Sequence, residues 1–412
     1  MKIWLIHQHA GTPSQVGGYV RHFHLARNLI DAGHDVTIIA SSFAHKVRKD
    51  LRLEKGEISR YVVEDGVPFY WVKAPVYGAG NARRLWNLIA FGKRIKNDRM
   101  LRELPKPDVI VGSSPSPFTA FAAMQLAQCL QVPFVLEVRD LWPETLIELG
   151  GMSRWNPLVM ILSRMERTMF REATAIISAL PNLDGYIKEF GLPHNNISWI
   201  PNGIYLKSLP SIASPDQKDY FDIVYAGAHG IANNLDTIID AAHYLNDRID
   251  IRFRLIGDGP HKKALMDRVK SQALNNVIFE DAVPHSEIHT KLAAAHAFIF
   301  TLADKKLWRF GISPNKVFDY LAMARPTVST VSAYNDPFGE AGAGITVPAA
   351  SKGSELAEAI KKVADMSAEE RWEMGKRGRA YVEANHSYEV LSNKLAEALS
   401  GAITTYRTGR KN

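Results

Sequence analysis

The residues best able to do chemistry together lie between Trp308 and Pro326, in WRFGISPNKVFDYLAMARP. Ser313 is a natural helix N-cap, and Pro314 at the first helical position already has the φ that position needs. A helix starting there offers unpaired backbone N–H groups and a positive dipole end around Ser313, Pro314, Asn315 and Lys316, a seat for a phosphate. Lys316 adds a full positive charge, and Arg309 stands just upstream. One turn on, Asp319 shares a face with Asn315 and Lys316 and can accept hydrogen bonds from two adjacent hydroxyls. An anion cradle with a carboxylate one turn away suits a nucleoside diphosphate and its ribose. The same residues also read as an ordinary Ser-Pro helix start with a Lys316–Asp319 surface pair worth a few tenths of a kcal/mol.

A second cluster ends the apolar run FVLEVRDLWPE. Arg139 can hold one of Glu137 and Asp140 ionised while the other receives a proton from a hydroxyl; a salt-bridged strand end is the alternative. Trp142-Pro143-Glu144 adds an aromatic face of the kind sugars stack on. Glycines at other strand ends, Gly17-Gly18, Gly227 and Gly257-x-Gly259, allow a ligand close to the backbone. The histidines suggest no metal: His7-x-His9 lacks a third ligand nearby, and His22-x-His24 splays around a helix. No Asp-x-Asp is present to hold Mg²⁺ against a diphosphate. Neither metal nor cofactor is expected.

These loops need sheets to align them. Lys2–Gln8 is an apolar strand, followed by a loop with Gly17 and Gly18, a helix over Tyr19–Ala32 stopping at Gly33, and a strand at Asp35–Ser41. This is a βαβ unit with its glycine turn at the strand's C-terminal end. It lacks the G-x-G-x-x-G of dinucleotide binding, which argues against an oxidoreductase. Strand–helix units repeat to Pro201, with a hairpin predicted around Asp65-Gly66. The Pro- and Ser-containing stretch Leu206–Tyr220 reads as a linker, and a second strand–helix series starts at Phe221. Two doubly wound α/β domains joined by a hinge, facing each other across a cleft, are predicted.

Length agrees, since 412 residues exceed one ordinary core. The single cysteine, Cys129, sits in an apolar run, reads as a small buried hydrophobe and fits a reducing compartment. The N-terminus shows no leader pattern and no run is apolar enough to span a membrane, so a cytoplasmic protein is expected. Fifty Lys+Arg against 43 Asp+Glu give a net charge of +7, which favours anionic partners. No nucleic-acid-binding motif is present, so nucleic acid is not expected as a partner. The segment Asn81–Leu104 mixes Trp86, Phe91 and Ile95 with arginines and lysines; it reads as contact with an anionic membrane surface, or as an ordinary sheet-packing helix.

The motifs GGYVRHFHLARNLIDAGHDVTII, AIISALPNLDGYIKEFGLP, WIPNG, YAGAHGIANNLDTIIDAA and LIGDGP, together with WRFGISPNKVFDYLAMARP, occur in an order that resembles the retaining glycosyltransferases of family 4 (group 1). The resemblance covers essentially the whole chain. EVRDLWPE with SPNKVFDYLAMARP is similar to the branch that transfers N-acetylated amino sugars, fucosamine for example, in O-antigen and capsule assembly. The resemblance implies the GT-B architecture: residues 1–203 a Rossmann-like acceptor-binding domain, 204–385 a nucleotide-sugar-binding one, and 386–412 a helix crossing back to the first. It further implies transfer with retention from a UDP-sugar to a lipid-pyrophosphate-linked or glycan acceptor, without metal, on the inner face of the plasma membrane. Gly17 and Gly18 would approach the donor diphosphate, Asp319 the ribose, and the loop Asp281–Pro284 the base. Three positions depart from the family pattern. The first acid of its Glu-x7-Glu motif falls on Gly311, its phosphate-binding Arg and Lys fall on Ala228 and Asn233, and its catalytic histidine falls near Ser113–Ser114. Two other readings are a UDP-sugar 2-epimerase of the same architecture, which needs only nucleotide sugar and water, and a non-catalytic nucleotide-sugar-binding subunit.

Overall fold

The structure, a computed structural model, describes residues 1–14, 19–45, 47–78, 81–98, 101, 104–192, 196–212 and 220–409. It divides into two compact units, Met1–Pro201 with Tyr388–Asn412, and Asn202–Ser387. Of the stretch Leu206–Tyr220, expected as a linker, residues 213–219 lie outside the described residues; the chain leaves the first unit at Pro201 and returns to it at Tyr388.

In the first unit the elements run β1 (Lys2–Ile6), α1 (Arg21–Asp31), β2 (Asp35–Ser41), β3 (Phe43–Ala44), β4 (Lys49–Asp50), β5 (Ser59–Glu64), β6 (Val67–Val72), α2 (Asn81–Asn97), β7 (Val109–Ser113), α3 (Pro117–Leu130), β8 (Phe134–Val138), α4 (Glu144–Glu148), α5 (Pro157–Glu172), β9 (Ala175–Ser178), α6 (Leu183–Lys188) and β10 (Ile197–Trp199). Eight strands form one sheet in the order β10-β9-β8-β7-β1-β2-β6-β5, parallel except for β5. Its central strands are buried on both faces, which is why they read as unbroken apolar runs. The β5–β6 turn has φ of 50° at Asp65 and 77° at Gly66, the left-handed pair a two-residue hairpin needs. Strand order reverses at β1, between β7 and β2, so the loops after β1 and β7 open a crevice at that edge. Cys129 is exposed, a correction to the expected burial: α3 is buried on several sides as far as Leu126 and Ala127, and its last turn, with Gln128 and Cys129, is exposed.

The second unit runs β11 (Phe221–Ala226), α7 (Leu235–Tyr244), β12 (Ile251–Ile256), α8 (Lys262–Ser271), β13 (Val277–Glu280), α9 (His285–Ala293), β14 (Ala297–Thr301), α10 (Asn315–Ala322), β15 (Thr327–Thr330), α11 (Pro337–Glu340), β16 (Gly344–Val347), α12 (Gly353–Asp365) and α13 (Ala368–Asn385). Its six-stranded sheet, β13-β12-β11-β14-β15-β16, is all parallel and reverses order at β11. The last helix, α14 (Tyr388–Gly409), packs against α1 in the first unit: Tyr388 stacks on His24 with ring centroids 4.8 Å apart, and Leu391, Leu395 and Leu399 are buried.

Candidate functional site

Helix α10 is fastened to the end of β11 by one side chain. Tyr320 is fully buried, stacks on Phe298 at 4.4 Å, accepts a hydrogen bond from Ala226 N–H at 2.7 Å and donates one to Ala226 O at 3.2 Å. One turn earlier on the same face, Lys316 is thereby aimed over the β11 loop. Its ammonium donates to Asn233 Oδ1 at 2.6 Å and to the Tyr225 hydroxyl at 2.9 Å, and lies 4.6 Å from the Tyr225 ring centroid. All of these are neutral groups. Loss of solvent lowers Lys316 from 10.5 to about 7. The Lys316–Asp319 surface pair does not form, because Asp319 Oδ1 instead meets His289 Nε2 at 2.8 Å.

The start of the helix corrects the expected cap. The helix begins at Asn315, with Pro314 extended (φ −74°, ψ 141°) at the capping position, and Ser313 does not cap it. The Ser313 hydroxyl accepts from Asn202 N–H at 2.8 Å, and Asn202 Nδ2 donates to Ser313 O at 2.6 Å. Asn335 holds the preceding turn through Ile312 N and O. Asn315 is exposed. Arg309 lies on a separate 3-10 turn, Lys306–Phe310, with its guanidinium 4.5 Å from the Phe310 ring centroid.

Around Lys316 the backbone is crowded. A Cβ on Gly227 would lie 3.1 Å from the Tyr225 hydroxyl and 3.4 Å from Lys316 Nζ; one on Gly257 would lie 1.9 Å from Gly227 O. The glycines let the loops after β11 and β12 touch, and His229 N–H donates to Asp258 O at 2.8 Å. His229 is buried beside them, with neither ring nitrogen hydrogen-bonded, and burial chiefly lowers it to about 4. The exposed Asp281 carboxylate pairs with Lys262 at 3.1 Å.

In the first unit, Glu137 is buried and both its oxygens are taken: Arg21 Nε donates to Oε1 at 3.1 Å, and His22 Nε2 meets Oε2 at 2.6 Å. Burial works against its charge, but His22 and Arg21 outweigh it and hold the carboxyl well below the usual range. Burial also lowers His22, so the pair is best described as a carboxylate accepting from a neutral imidazole. Arg139, expected to hold one of Glu137 and Asp140 ionised, acts on Glu137 less than His22 and Arg21 do. Arg21 further donates to Pro201 O, and to Ile200 O at 2.8 Å, bracing the segment after β10 by which the chain leaves the unit. Asp140 is exposed, and surrounding protein raises its carboxyl above the ordinary 3.8 while Arg139 opposes the rise. The Ser114 hydroxyl accepts from Arg139 N–H at 2.9 Å and fixes this loop. Arg139 Nη1 lies 3.4 Å from Nε2 of His7, which stacks on His22 at 4.3 Å. His7 follows Ile6, the partner of Gly112, so it stands level with Ser113, where the family histidine falls in sequence. Gly17 and Gly18 lie outside the described residues.

Arg21, His22, His7, Tyr225, Asn233 and His289 were not singled out from sequence as partners of these groups. His22 sits inside GGYVRHFH, but only its metal-ligand spacing was weighed. No group of three or more metal-ligating side chains comes together among the described residues.

The glycosyl transferase 4-like domain matches residues 17–203, and the glycosyl transferases group 1 domain matches residues 220–366. The chain is built of two glycosyltransferase domains. It is 23% identical over 292 residues, 67% of this chain and 71% of the other, to WcaI of Escherichia coli (strain K12), which bears the name of a colanic acid biosynthesis glycosyl transferase. Among solved structures it is similar to sucrose-phosphate synthase from Thermosynechococcus elongatus, with TM-score 0.75, 16% identity, and 96% and 97% of the two chains covered. HepE of Anabaena, solved with UDP and glucose, superposes with TM-score 0.66 at 15% identity, over 97% and 99% of the chains. These likenesses establish the GT-B fold.

Proposed function

We propose that the chain is a retaining glycosyltransferase that moves a sugar, an N-acetylated hexosamine, from a UDP-sugar to a lipid-pyrophosphate-linked acceptor in bacterial surface polysaccharide synthesis. The observation that carries this reading is Lys316: an amine held at the C-terminal end of β11 by neutral partners only, on a helix locked in place by Tyr320. As the donor's glycosidic bond breaks, negative charge grows on the diphosphate, and a preorganised cation stabilises it. Lys316 donates to Asn233, the position where the family's lysine falls, so the cation is supplied from the opposite side of the loop. No metal is invoked. Gly227 lets the phosphate approach the backbone, and Arg309 adds charge from the neighbouring turn. Asp319, in contact with His289, accepts from the ribose hydroxyls. Gly17 and Gly18 are proposed to meet the diphosphate from the first domain.

On the acceptor side the two acids separate. Glu137 is sequestered by Arg21 and His22, so the exposed Asp140, beside Arg139, is the one to orient the acceptor hydroxyl or take its proton. An acceptor borne on the inner face of the plasma membrane is supported by α2, where Trp86 is 55% exposed among the exposed Arg83, Lys93 and Lys96, while Phe91 and Ile95 are buried in the unit. None of the described helices is long and apolar enough to cross a membrane. The test is UDP release with a panel of UDP-sugars and lipid-linked acceptors, followed by Asp140→Asn. Turnover in that variant should fall by about a hundredfold or more with UDP affinity unchanged. Wild-type turnover in Asp140→Asn, or no UDP-sugar binding by the parent protein, overturns the reading.

A further inference from the structure

Strand β5 closes one edge of the first sheet. Its even-numbered residues make the ladder to β6: Lys73 N–H donates to Ile58 O at 2.9 Å, and steps of two carry the same pairing to Arg60–Trp71, Val62–Phe69 and Glu64–Val67. Pro68, which has no N–H, faces Val63 in one of the pairs between, as that pattern requires. The backbone N–H and C=O groups of Tyr61 and Val63 therefore point away from β6. No other strand pairs with that side among the described residues. Edges left open to solvent are usually blunted by charged side chains, lysine above all, by proline, a bulge or shortness. The segment SRYVVE has no lysine, proline or break in register over its six residues, its charged Arg60 and Glu64 are engaged by Glu54, Glu57 and Trp71 of the same chain, and Tyr61 and Val63 are 48% and 58% exposed.

We infer that β5 pairs antiparallel with β5 of a second copy of this chain, across a two-fold axis at Val62. The sequence is self-complementary in that register. Tyr61 of each copy lies opposite Val63 of the other, an aromatic against a β-branched side chain, and the two residues exchange both of their outward hydrogen bonds. Arg60 of each copy lies opposite Glu64 of the other. Sliding by two residues in either direction loses both the charge pairs and the Tyr–Val pairs. Arg60 also bridges Glu54 and Glu57, and Glu64 accepts from Trp71 Nε1, so the cross-copy charge pairs add selectivity of register more than strength. The result is one sheet continuous through two copies.

Sedimentation velocity over a dilution series tests this, with the whole chain. Wild-type protein should dimerise reversibly as concentration rises. Val63→Pro removes an N–H that β6 does not use, so the hairpin and the circular dichroism spectrum should persist. The dimer should lose two cross-copy hydrogen bonds and weaken by about thirtyfold. Arg60→Glu should weaken it as well, and adding Glu64→Arg should restore it, since charge reversal at both positions recreates the complement. In a Cys129→Ser background, Val62→Cys should form a disulfide with itself across the axis, where facing Cα atoms lie about 4.5 Å apart. A wild-type chain that stays monomeric at every concentration overturns the proposal. So does a dimer unaffected by Val63→Pro in folded protein.

Discussion

Donor affinity should carry the signature of Lys316. Loss of solvent and purely neutral partners hold its amine at about 7 against the ordinary 10.5. A bound diphosphate supplies the counter-charge and raises that value again, so binding above neutral pH takes up a proton. At about 1.4 kcal/mol per pH unit, full recovery corresponds to roughly 5 kcal/mol, a ceiling. Partial exposure of the side chain trims it toward the roughly 3–4 kcal/mol seen when a preorganised donor is removed from a developing charge. The sign follows: the pKa is higher in the complex, so affinity is flat at low pH, where the free amine is already charged, and falls as pH rises past about 7. The slope approaches tenfold per pH unit. Calorimetric titration with a UDP-sugar, in buffers of different ionisation heat, reads both affinity and proton uptake. A UDP-sugar is the better probe because UDP itself has a terminal phosphate titrating near 6. Lys316→Met should abolish the slope and match the wild type at high pH, and its turnover at neutral pH should drop about a hundred- to thousandfold. Equal slopes in the two proteins, or a flat wild-type profile, refute Lys316 as the phosphate's partner.

Asp319→Ala should weaken UDP binding about tenfold or more through the ribose while saturated turnover changes less, as a split of KM against kcat shows. Tyr320→Phe strands the buried Ala226 N–H and should cost about 1–3 kcal/mol, visible as a lowered Tm together with reduced donor affinity. Glu137→Gln leaves Arg21 buried without its counter-charge and should destabilise the protein by about 3–5 kcal/mol in denaturant titration. Because the folded Glu137 carboxyl lies below its ordinary 4.5, its contribution is complete above that pH and is lost as pH falls through the lower folded value. The variant should flatten that part of the acid profile.

The alternation of strands and helices was legible because it is written locally. Asp35–Ser41 is observed with the predicted bounds, and the Asp65-Gly66 hairpin follows from its two turn residues. The short helix Glu144–Glu148 was not foreseen, since one turn shows no periodicity. Cys129 was misplaced because α3 is alanine-rich, so its apolar pattern hardly distinguishes one side from the other. The wiring around the candidate residues was not legible. Lys316, Asp319 and Glu137 were picked out by type and position, but what each touches lies far away in sequence. The Ser313 hydroxyl accepts from Asn202 N–H, Lys316 reaches back to Tyr225 and Asn233, and Glu137 is claimed by two residues of α1. Propensity favours Ser313 as a cap, and a contact from a distant residue overrides it. Such pairings belong to the tertiary fold and leave no local trace.

The return of α14 to the first unit has a consequence for the timing of synthesis. The second unit is one continuous stretch, Asn202–Ser387, whereas the first needs residues made after it. At about 5–20 residues per second, roughly 10–40 s pass between the emergence of Pro201 and that of Tyr388. During that interval the face of α1 that α14 will cover, next to His24 and Leu25, stands open. The domain begun first on the ribosome is thus finished last, and its unfinished face is where a chaperone would be needed.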